Sequence, residues 1–258
     1  MGEIIYKPLI DDMVWSFSRL NSYECPYRWF LKYLNHSPET EKFYAGYGKL
    51  MHSIIEKYYN GELAKENMLC EFLLRFSSEV QGERPQSSTV QKYIQQGSEY
   101  LKNFQPLPFQ MVAVEQKVEF DIDGIPFVGF IDFLGIDNDE YIIVDNKSKC
   151  LKPRSKRLKP TKTDKELDDM LKQLYLYSKA VFNIYGKYPK ELCFNCFRTN
   201  TLIREPFNLD AYHNAIQWAK DKIDTITYDT DFLHNYNYFT CKYICGVSED
   251  CLYYKDIF

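Results

Sequence analysis

The stretch YIIVDNKSKC, residues 141–150, decides the fold, because it begins as a strand and ends as something else. Tyr, Ile and Val favour extended backbone, and a short apolar run of them predicts a buried strand. The run then stops at Asp145, Asn146 and Lys147. Residues two apart in a strand share a face, so Asp145 and Lys147 project together from one side of the sheet. The sequence therefore predicts a chemical site at the end of a rigid strand.

Two extended runs precede this strand and predict an antiparallel meander with it. They are MVAVEQKVEF (residues 111–120) and IPFVGFIDFL (residues 125–134), with the turns DIDG and IDNDE between the strands. If Leu134 lies opposite Tyr141, Asp132 lies on the same face as Asp145 and diagonal to it. A slip of one residue would separate the two carboxylates.

Two carboxylates on one patch repel each other unless a positive charge lies between them. A hard divalent cation such as Mg²⁺ or Mn²⁺ prefers oxygen ligands and would supply that charge. A lysine beside it can orient or deprotonate a water and stabilise a pentavalent phosphate, so the set suits metal-assisted phosphodiester hydrolysis. Taken alone, however, an Asp-x-Lys tripeptide is better explained as an exposed ion pair at a fraying strand end.

The rest of the chain predicts helices around these strands, and the fold class is mixed α/β. Ser18 is the expected N-cap of a first helix, with Asn21 at N3, and Pro26 is expected to bound or kink it. Further helices are predicted over residues 41–59, within 63–80 and 88–104, and over 164–186 and 211–223, with a strand over 191–199. We expect a single domain over 1–258, with a mainly helical region (1–108), a catalytic sheet and helix (109–200) and a C-terminal helix with a cysteine-rich clasp (201–258).

Charge and hydropathy restrict the partners. The formal net charge of −4 means that any nucleic-acid site needs a local basic patch. Residues 147–165 supply one, with nine Lys or Arg and a single acid, Asp164. This segment is either a solvated loop or a contact for a DNA backbone, and the latter would make binding sensitive to salt. No basic segment followed by an apolar one opens the chain, and no run of about 20 apolar residues occurs, so we expect a cytoplasmic protein without a membrane span.

In a reducing compartment, eight cysteines favour a metal site over a disulfide framework. Cys241, Cys245 and Cys251 lie within eleven residues of one another. Cys193 and Cys196 have the CxxC spacing of many metal sites, but they lie in a predicted strand, where positions three apart face opposite sides. We therefore interpret them as core residues.

Taken together, these motifs resemble the PD-(D/E)xK nuclease superfamily in its RecB-like branch, which includes the nuclease domains of RecB and AddB and the CRISPR-adaptation nucleases. The segments SYECPYRWF, GKLMHSIIE, VGFID, VDNKS, QLYLY and the terminal cysteines occur in the family's order and span nearly the whole chain. The resemblance implies a restriction-endonuclease-like core, which is a mixed central sheet flanked by helices.

The resemblance also implies the metal ligands. Asp132 and Asp145 would be the carboxylate ligands, Asn146 would lend its backbone carbonyl, and Lys147 would be the catalytic lysine. His52, in the GKLMHSIIE motif, would be a further ligand.

Other residues would support this centre. Gln173 and Tyr177, one turn apart on a helix, match the family's QxxxY motif and would position DNA or the active site. Glu56, one turn after His52, would either orient it or be solvated. Glu115 would either line the site or be an exposed strand glutamate.

One early and three terminal cysteines resemble the family's iron-sulfur staple, in which four thiolates hold a 4Fe-4S cluster. Cys25, Cys241, Cys245 and Cys251 would be those ligands, although CKYIC has three residues between its cysteines where the family usually has two. Zinc is the competing occupant.

The implied function is a Mg²⁺- or Mn²⁺-dependent DNA nuclease, expected to be an exonuclease on single strands or duplex ends, in recombination, repair, replication or foreign-DNA processing. The alternative is a non-catalytic DNA-end-binding or assembly subunit of a larger helicase–nuclease or spacer-acquisition complex. Because no P-loop is visible, any motor would come from a helicase or another recombination partner.

Overall fold

The YIIVDNK segment forms the central strand of a five-stranded mixed sheet. The computed structural model describes residues 6–255, so the outermost residues of the predicted domain lie outside it. The strands are β1 (Gln110–Ile122), β2 (Ile125–Asp137), β3 (Glu140–Lys147), β4 (Glu191–Cys196) and β5 (Thr201–Pro206), side by side in that order. Neighbours are antiparallel except β3 and β4, which are parallel. The predicted meander and the predicted mixed sheet are confirmed.

Helices flank this sheet. They are α1 (Lys7–Asp11), α2 (Phe17–Asn21), α3 (Pro26–Tyr33), α4 (Phe43–Tyr59), α5 (Met68–Glu79), α6 (Ser87–Lys102), α7 (Lys162–Tyr185), α8 (Leu209–Thr227), α9 (Tyr238–Tyr243) and α10 (Leu252–Lys255). Pro26 begins α3, as expected from its missing N–H. The predicted N-cap at Ser18 was wrong, because Ser16 caps α2 by accepting a hydrogen bond from the backbone N–H of Arg19. No helix among residues 6–255 is both long and apolar enough to cross a bilayer.

The β2–β3 hairpin is tighter than the sequence suggested. Asn138 and Asp139 have φ values of 50° and 62°, which is the left-handed backbone of a two-residue hairpin turn. The strands can therefore pair right up to the turn, and Leu134 lies opposite Ile143 instead of Tyr141.

The predicted register was therefore wrong by two residues. A shift of two residues leaves each side chain on the same face of the sheet, so Asp132 and Asp145 still share a face. Continuing the pairing one step beyond Phe133 and Val144 sets Asp132 directly across from Asp145, where a diagonal was expected.

Strand β5 was not predicted. The run predicted as one strand over residues 191–199 ends at Cys196, and the chain turns through Asn200, which has a φ of 48°. Strand β5 has only six residues and includes Arg204, whose guanidinium pairs with Glu191 on β4. Short, charged edge strands carry a weak apolar pattern, which explains the omission.

The core lies on both faces of the sheet. On one face, α2, α3, α7 and α8 pack against β1–β4, with buried residues that include Trp29, Ile143, Leu174 and Phe194. A smaller cluster on the other face contains Phe133, Ile142, Val144 and Cys193, and the helical region of α4–α6 has a further cluster of its own. The carboxyl end of β3 thus lies between α7 and the helical region.

Candidate active site

The end of β3 is held by α7. The Nζ atom of Lys147 lies 2.7 Å from Oδ2 of Asp145 and donates a hydrogen bond to Oε1 of Gln173 at 3.0 Å. Gln173 Nε2 in turn donates to the hydroxyl of Tyr177 at 3.3 Å. The ring of Tyr177 rests on Gly129, where an added Cβ would lie only 2.3 Å from Cε1 of the ring. Four of the predicted site residues, which are Asp145, Lys147, Gln173 and Tyr177, thus lie together, and a glycine of the VGFID motif supports them.

Helix α4 brings His52 to the same strand end. Its Nε2 lies 2.9 Å from the carbonyl oxygen of Asn146, and its Nδ1 lies 3.4 Å from Oδ2 of Asp132. Asp132 is 9% exposed, and its Oδ2 accepts a hydrogen bond from the backbone N–H of Asn146 at 2.7 Å. The main chain of Asn146 therefore contacts two of the predicted ligands.

Glu115 of β1 completes a triad with His52 and Asp132, which favours the alternative that it lines the site. Its Oε1 lies 3.9 Å from Nδ1 of His52. Ligand atoms of His52, Glu115 and Asp132 all lie within 4.8 Å of one another, which is close enough to share one cation. Glu115 has a φ of 47°, uncommon for a non-glycine residue and a sign of a local irregularity in β1. Its only sequence signal was a glutamate in a strand beside the predicted site.

Asp145 is not a member of this triad, although it faces Asp132 across the two strands. It is 4% exposed, and its Oδ2 has no hydrogen bond of normal geometry among the described residues, although the ammonium of Lys147 is 2.7 Å away. A buried carboxylate oxygen without a hydrogen bond is costly unless a charge satisfies it. The Lys147 ammonium supplies that charge here, and the oxygen-rich donor set of the site fits a hard divalent cation.

The electrostatics of the site also favour a cation. Burial has the largest effect on His52 and lowers its pKa, but the neighbouring carboxylates outweigh burial and raise that pKa to about 9. Burial and repulsion from Asp145 raise the pKa of Asp132 to about 7. Both groups therefore tend to hold protons when no other positive charge is near.

Glu56 lies on the solvent side of this centre. It lines a pocket of about 330 Å³ together with Lys49, Ser53, His52 and Glu115. Burial, followed by repulsion from Glu115, raises its pKa. No hydrogen bond joins Glu56 to His52 in the described part of the chain, so the solvated alternative describes its position better.

A groove of about 630 Å³ runs from the site towards the C-terminal clasp. Asp132, Lys147, Gln173 and Tyr177 form one end. Its walls carry Ser16, Ser18, Arg28 and Lys32 from the N-terminal helices, Phe130 from β2, and Ile244, Gly246 and Val247 from the clasp. Phe130 is 52% exposed.

The basic segment is partly neutralised. Lys149 pairs with Glu166, and Arg154 bridges Asp168 and Glu205, each at 2.5–2.7 Å. Together with Lys147, three of the nine basic side chains are thus engaged in ion pairs within the protein.

The four predicted cluster cysteines meet in space. Cys25 precedes α3, and Cys241 lies in α9. These two and the C-terminal Cys245 and Cys251 line one small cavity of about 20 Å³. The backbone N–H of Asn235 donates to Sγ of Cys25 at 3.5 Å. In the described residues, no three of these sulfurs lie within 4.8 Å of one another.

Cys193 and Cys196 are core residues, as predicted, and the other two cysteines lie at the surface. Cys193 and Cys196 are buried in β4, where burial raises the pKa of both thiols. Cys70 and Cys150 are exposed.

Comparison with known proteins supports the fold. A crystal structure titled "Putative exonuclease" from Eubacterium rectale aligns with a TM-score of 0.51 at 12% identity, covering 88% of this chain and 86% of that one, which supports a shared fold. The crystal structure of SSO0001 aligns over 92% and 95% of the two chains at 17% identity, but its TM-score of 0.32 is too low to carry an argument. None of the curated proteins matches the sequence significantly.

The sequence model of the PD-(D/E)XK nuclease superfamily matches residues 14–252, which is nearly the whole chain. That span contains the β3 carboxylate and lysine, the α4 histidine and the α7 glutamine and tyrosine described above. The protein therefore belongs to the PD-(D/E)XK nuclease superfamily.

Proposed function

We propose that the protein is a divalent-metal-dependent DNA exonuclease that acts on single strands or duplex ends. The observation that carries this proposal is the convergence of His52, Glu115 and Asp132 within 4.8 Å, beside a buried Asp145 paired with Lys147. These residues come from three strands and a helix, and a structural ion pair needs no such convergence.

Mg²⁺ or Mn²⁺ is the proposed cofactor. His52, Asp132, Asp145 and the carbonyl of Asn146 would hold it, and Glu115 joins this set on the strength of its distance from His52. When bound, such a cation would supply a nucleophilic water at neutral pH and would neutralise charge on the scissile phosphate.

Lys147 is the proposed catalytic lysine. Its ammonium is fixed between Asp145 and Gln173, so it is aimed at the space in front of the carboxylates. From there it can hold or move a proton of the attacking water and stabilise negative charge on the phosphate. Gln173 and Tyr177 act by holding Lys147 and the substrate in position.

The groove supports single-stranded DNA as the substrate that reaches the site. Asp145 is buried, and its neighbours Asp132 and Lys147 line one end of the groove that leads to the clasp. Arg28 offers positive charge to a phosphodiester backbone, and Lys32 could do so by exchanging its partner Glu39, 2.8 Å away, for a phosphate. The exposed Phe130 ring offers a surface on which a base can stack.

A 4Fe-4S cluster is the proposed occupant of the cysteine cavity. The four cysteines that the family resemblance assigns to the cluster line one cavity together, which supports this proposal. Its role would be to tie α3 to the C-terminal segment, which is already docked by the hydrogen bond from Thr40 N–H to Gly246 O at 2.8 Å.

The test is cleavage of end-labelled single- and double-stranded DNA, with a closed circular single strand as a substrate without ends. Wild type should degrade linear DNA in Mn²⁺ or Mg²⁺ and not with chelator, and Asp145→Asn should abolish this without loss of fold. The matched control is Glu119→Gln, which removes an exposed carboxylate of β1. Cleavage by Asp145→Asn at the wild-type rate would refute the assignment.

The proposed biological setting is DNA recombination, repair, replication or processing of foreign DNA, with a helicase as a possible partner. Co-purification of an ATP-dependent motor would support the partner, and full processivity of the isolated protein on long duplexes would argue against its need.

A further inference from the structure

A buried polar network lies behind β3, on the face opposite the catalytic lysine. Asn195 of β4 pairs in register with Asn146. Its Nδ2 donates to Oδ1 of Asn146 at 2.7 Å and to the hydroxyl of Tyr100 at 2.8 Å. The three residues are 7%, 5% and 4% exposed, and their neighbours two positions earlier on the strands, Val144 and Cys193, are apolar.

Packing alone does not explain this network. Burying amide and hydroxyl groups costs free energy unless every one is hydrogen-bonded, and an apolar residue at position 195 would avoid the cost. Among the described residues, the side chain of Asn146 has no hydrogen bond other than the one from Asn195. The network therefore serves to fix Asn146 itself.

Fixing Asn146 matters because its main chain touches the proposed metal ligands on both sides. Its N–H donates to Asp132 at 2.7 Å, and its carbonyl oxygen lies 2.9 Å from Nε2 of His52. A small rotation of the strand end would lengthen both contacts and move the carbonyl that is expected to bind the cation.

We propose that Asn195 is a positioning residue of the nuclease centre. By holding the side chain of Asn146 from behind the sheet, it keeps the Asn146 carbonyl and the Asp132 carboxylate in the arrangement that a cation requires. This inference rests on the proposed function. Partners that orient metal ligands in this way typically contribute about 10- to 100-fold to metal affinity or activity.

The experiment is a calorimetric titration of metal-free protein with Mn²⁺, alongside steady-state cleavage of single-stranded DNA. The variant is Asn195→Leu, which keeps the approximate volume and removes the donor. We expect the Kd for Mn²⁺ to rise by about 10- to 100-fold and kcat to fall by a similar factor, while KM for DNA stays at the wild-type value. A merely structural role would lower the melting temperature without this division between metal binding, kcat and KM.

Cys193→Val is the matched control, because Cys193 lies on the same buried face of β4, two residues before Asn195. It should bind Mn²⁺ like wild type. If Asn195→Leu does not fold, Asn195→Ser replaces it, and combining Asn195→Ser with Asn146→Ala should cost no more than either change alone.

The outcomes separate the two claims. Wild-type Mn²⁺ affinity in the Asn195 variants, or additive losses in the double variant, overturns the positioning role and leaves the nuclease assignment intact. A wild-type protein that neither binds Mn²⁺ nor cleaves DNA overturns the proposed function and this inference with it.

Discussion

Gly129→Ala tests how α7 supports the catalytic lysine. An alanine Cβ at this position would lie 2.3 Å from Cε1 and 2.9 Å from Cζ of Tyr177. Carbon atoms make favourable contact only at about 3.5 Å or more, so the ring must retreat by roughly 1 Å. Because Tyr177 accepts the hydrogen bond from Gln173, which holds Lys147, the displacement reaches the lysine.

The expected effect is on chemistry more than on binding. A displacement of about 1 Å at a positioning residue can lower the rate by roughly 100-fold, which corresponds to about 2.7 kcal/mol in the activation free energy. Overpacking of the helix–sheet contact should also lower the free energy of unfolding by about 1–3 kcal/mol. Single-turnover cleavage and urea denaturation measure the two effects separately.

Gly48→Ala is the matched control for this prediction. Gly48 lies in α4 near the site, but an added Cβ would meet only Ser148 Oγ at 3.8 Å, an ordinary contact. Replacing a helical glycine should stabilise the protein by up to about 1 kcal/mol and leave cleavage unchanged. A folded Gly129→Ala protein with the wild-type single-turnover rate would refute the proposed support of Lys147 by Tyr177.

Three further predictions follow from the site and its supports. Because the pKa of His52 is raised to about 9 and that of Asp132 to about 7, protons compete with a cation below these values. Mn²⁺ affinity should therefore rise with pH, and Mn²⁺ binding should release protons. Calorimetry in buffers of different ionisation enthalpy measures that proton release. A flat affinity between about pH 6 and pH 9 would contradict this linkage. Cys25→Ala should abolish the visible absorbance of an iron-sulfur cluster and lower the melting temperature, whereas Cys70→Ala, at an exposed cysteine, should change neither. Thr161→Ala removes the side chain that caps α7 and should cost about 1 kcal/mol in urea denaturation; an unchanged midpoint would show that the cap contributes nothing.

Much of the fold follows from local patterns. Alternation in MVAVEQKVEF and helical spacing around Leu167, Leu171 and Leu174 predict elements that the structure contains. The register of the β2–β3 hairpin could not be predicted in this way. It depends on the left-handed backbone of Asn138 and Asp139, and the same sequence is also compatible with a longer turn. The edge strand β5 was missed because its pattern is short and charged.

The candidate site was predictable to the extent that its residues lie in motifs. Asp145 and Lys147 are recognisable from one strand, but His52 contacts Asn146 from 94 residues away, and no local pattern shows that α4 crosses the strand end. Glu115 and Asn195 carry no motif. Their signals are an acid in a strand beside the site and an asparagine on an apolar strand face, and only the three-dimensional arrangement gives these signals meaning.

The most direct test of the central claim is a Mn²⁺ titration of chelator-treated protein in which bound Mn²⁺ and the rate of DNA cleavage are measured in the same samples. We expect the rate to rise in proportion to the bound Mn²⁺ and Asp132→Asn to lose both together. Cleavage that proceeds without bound cation, or full occupancy without cleavage, would contradict a metal-dependent nuclease centre at the end of β3.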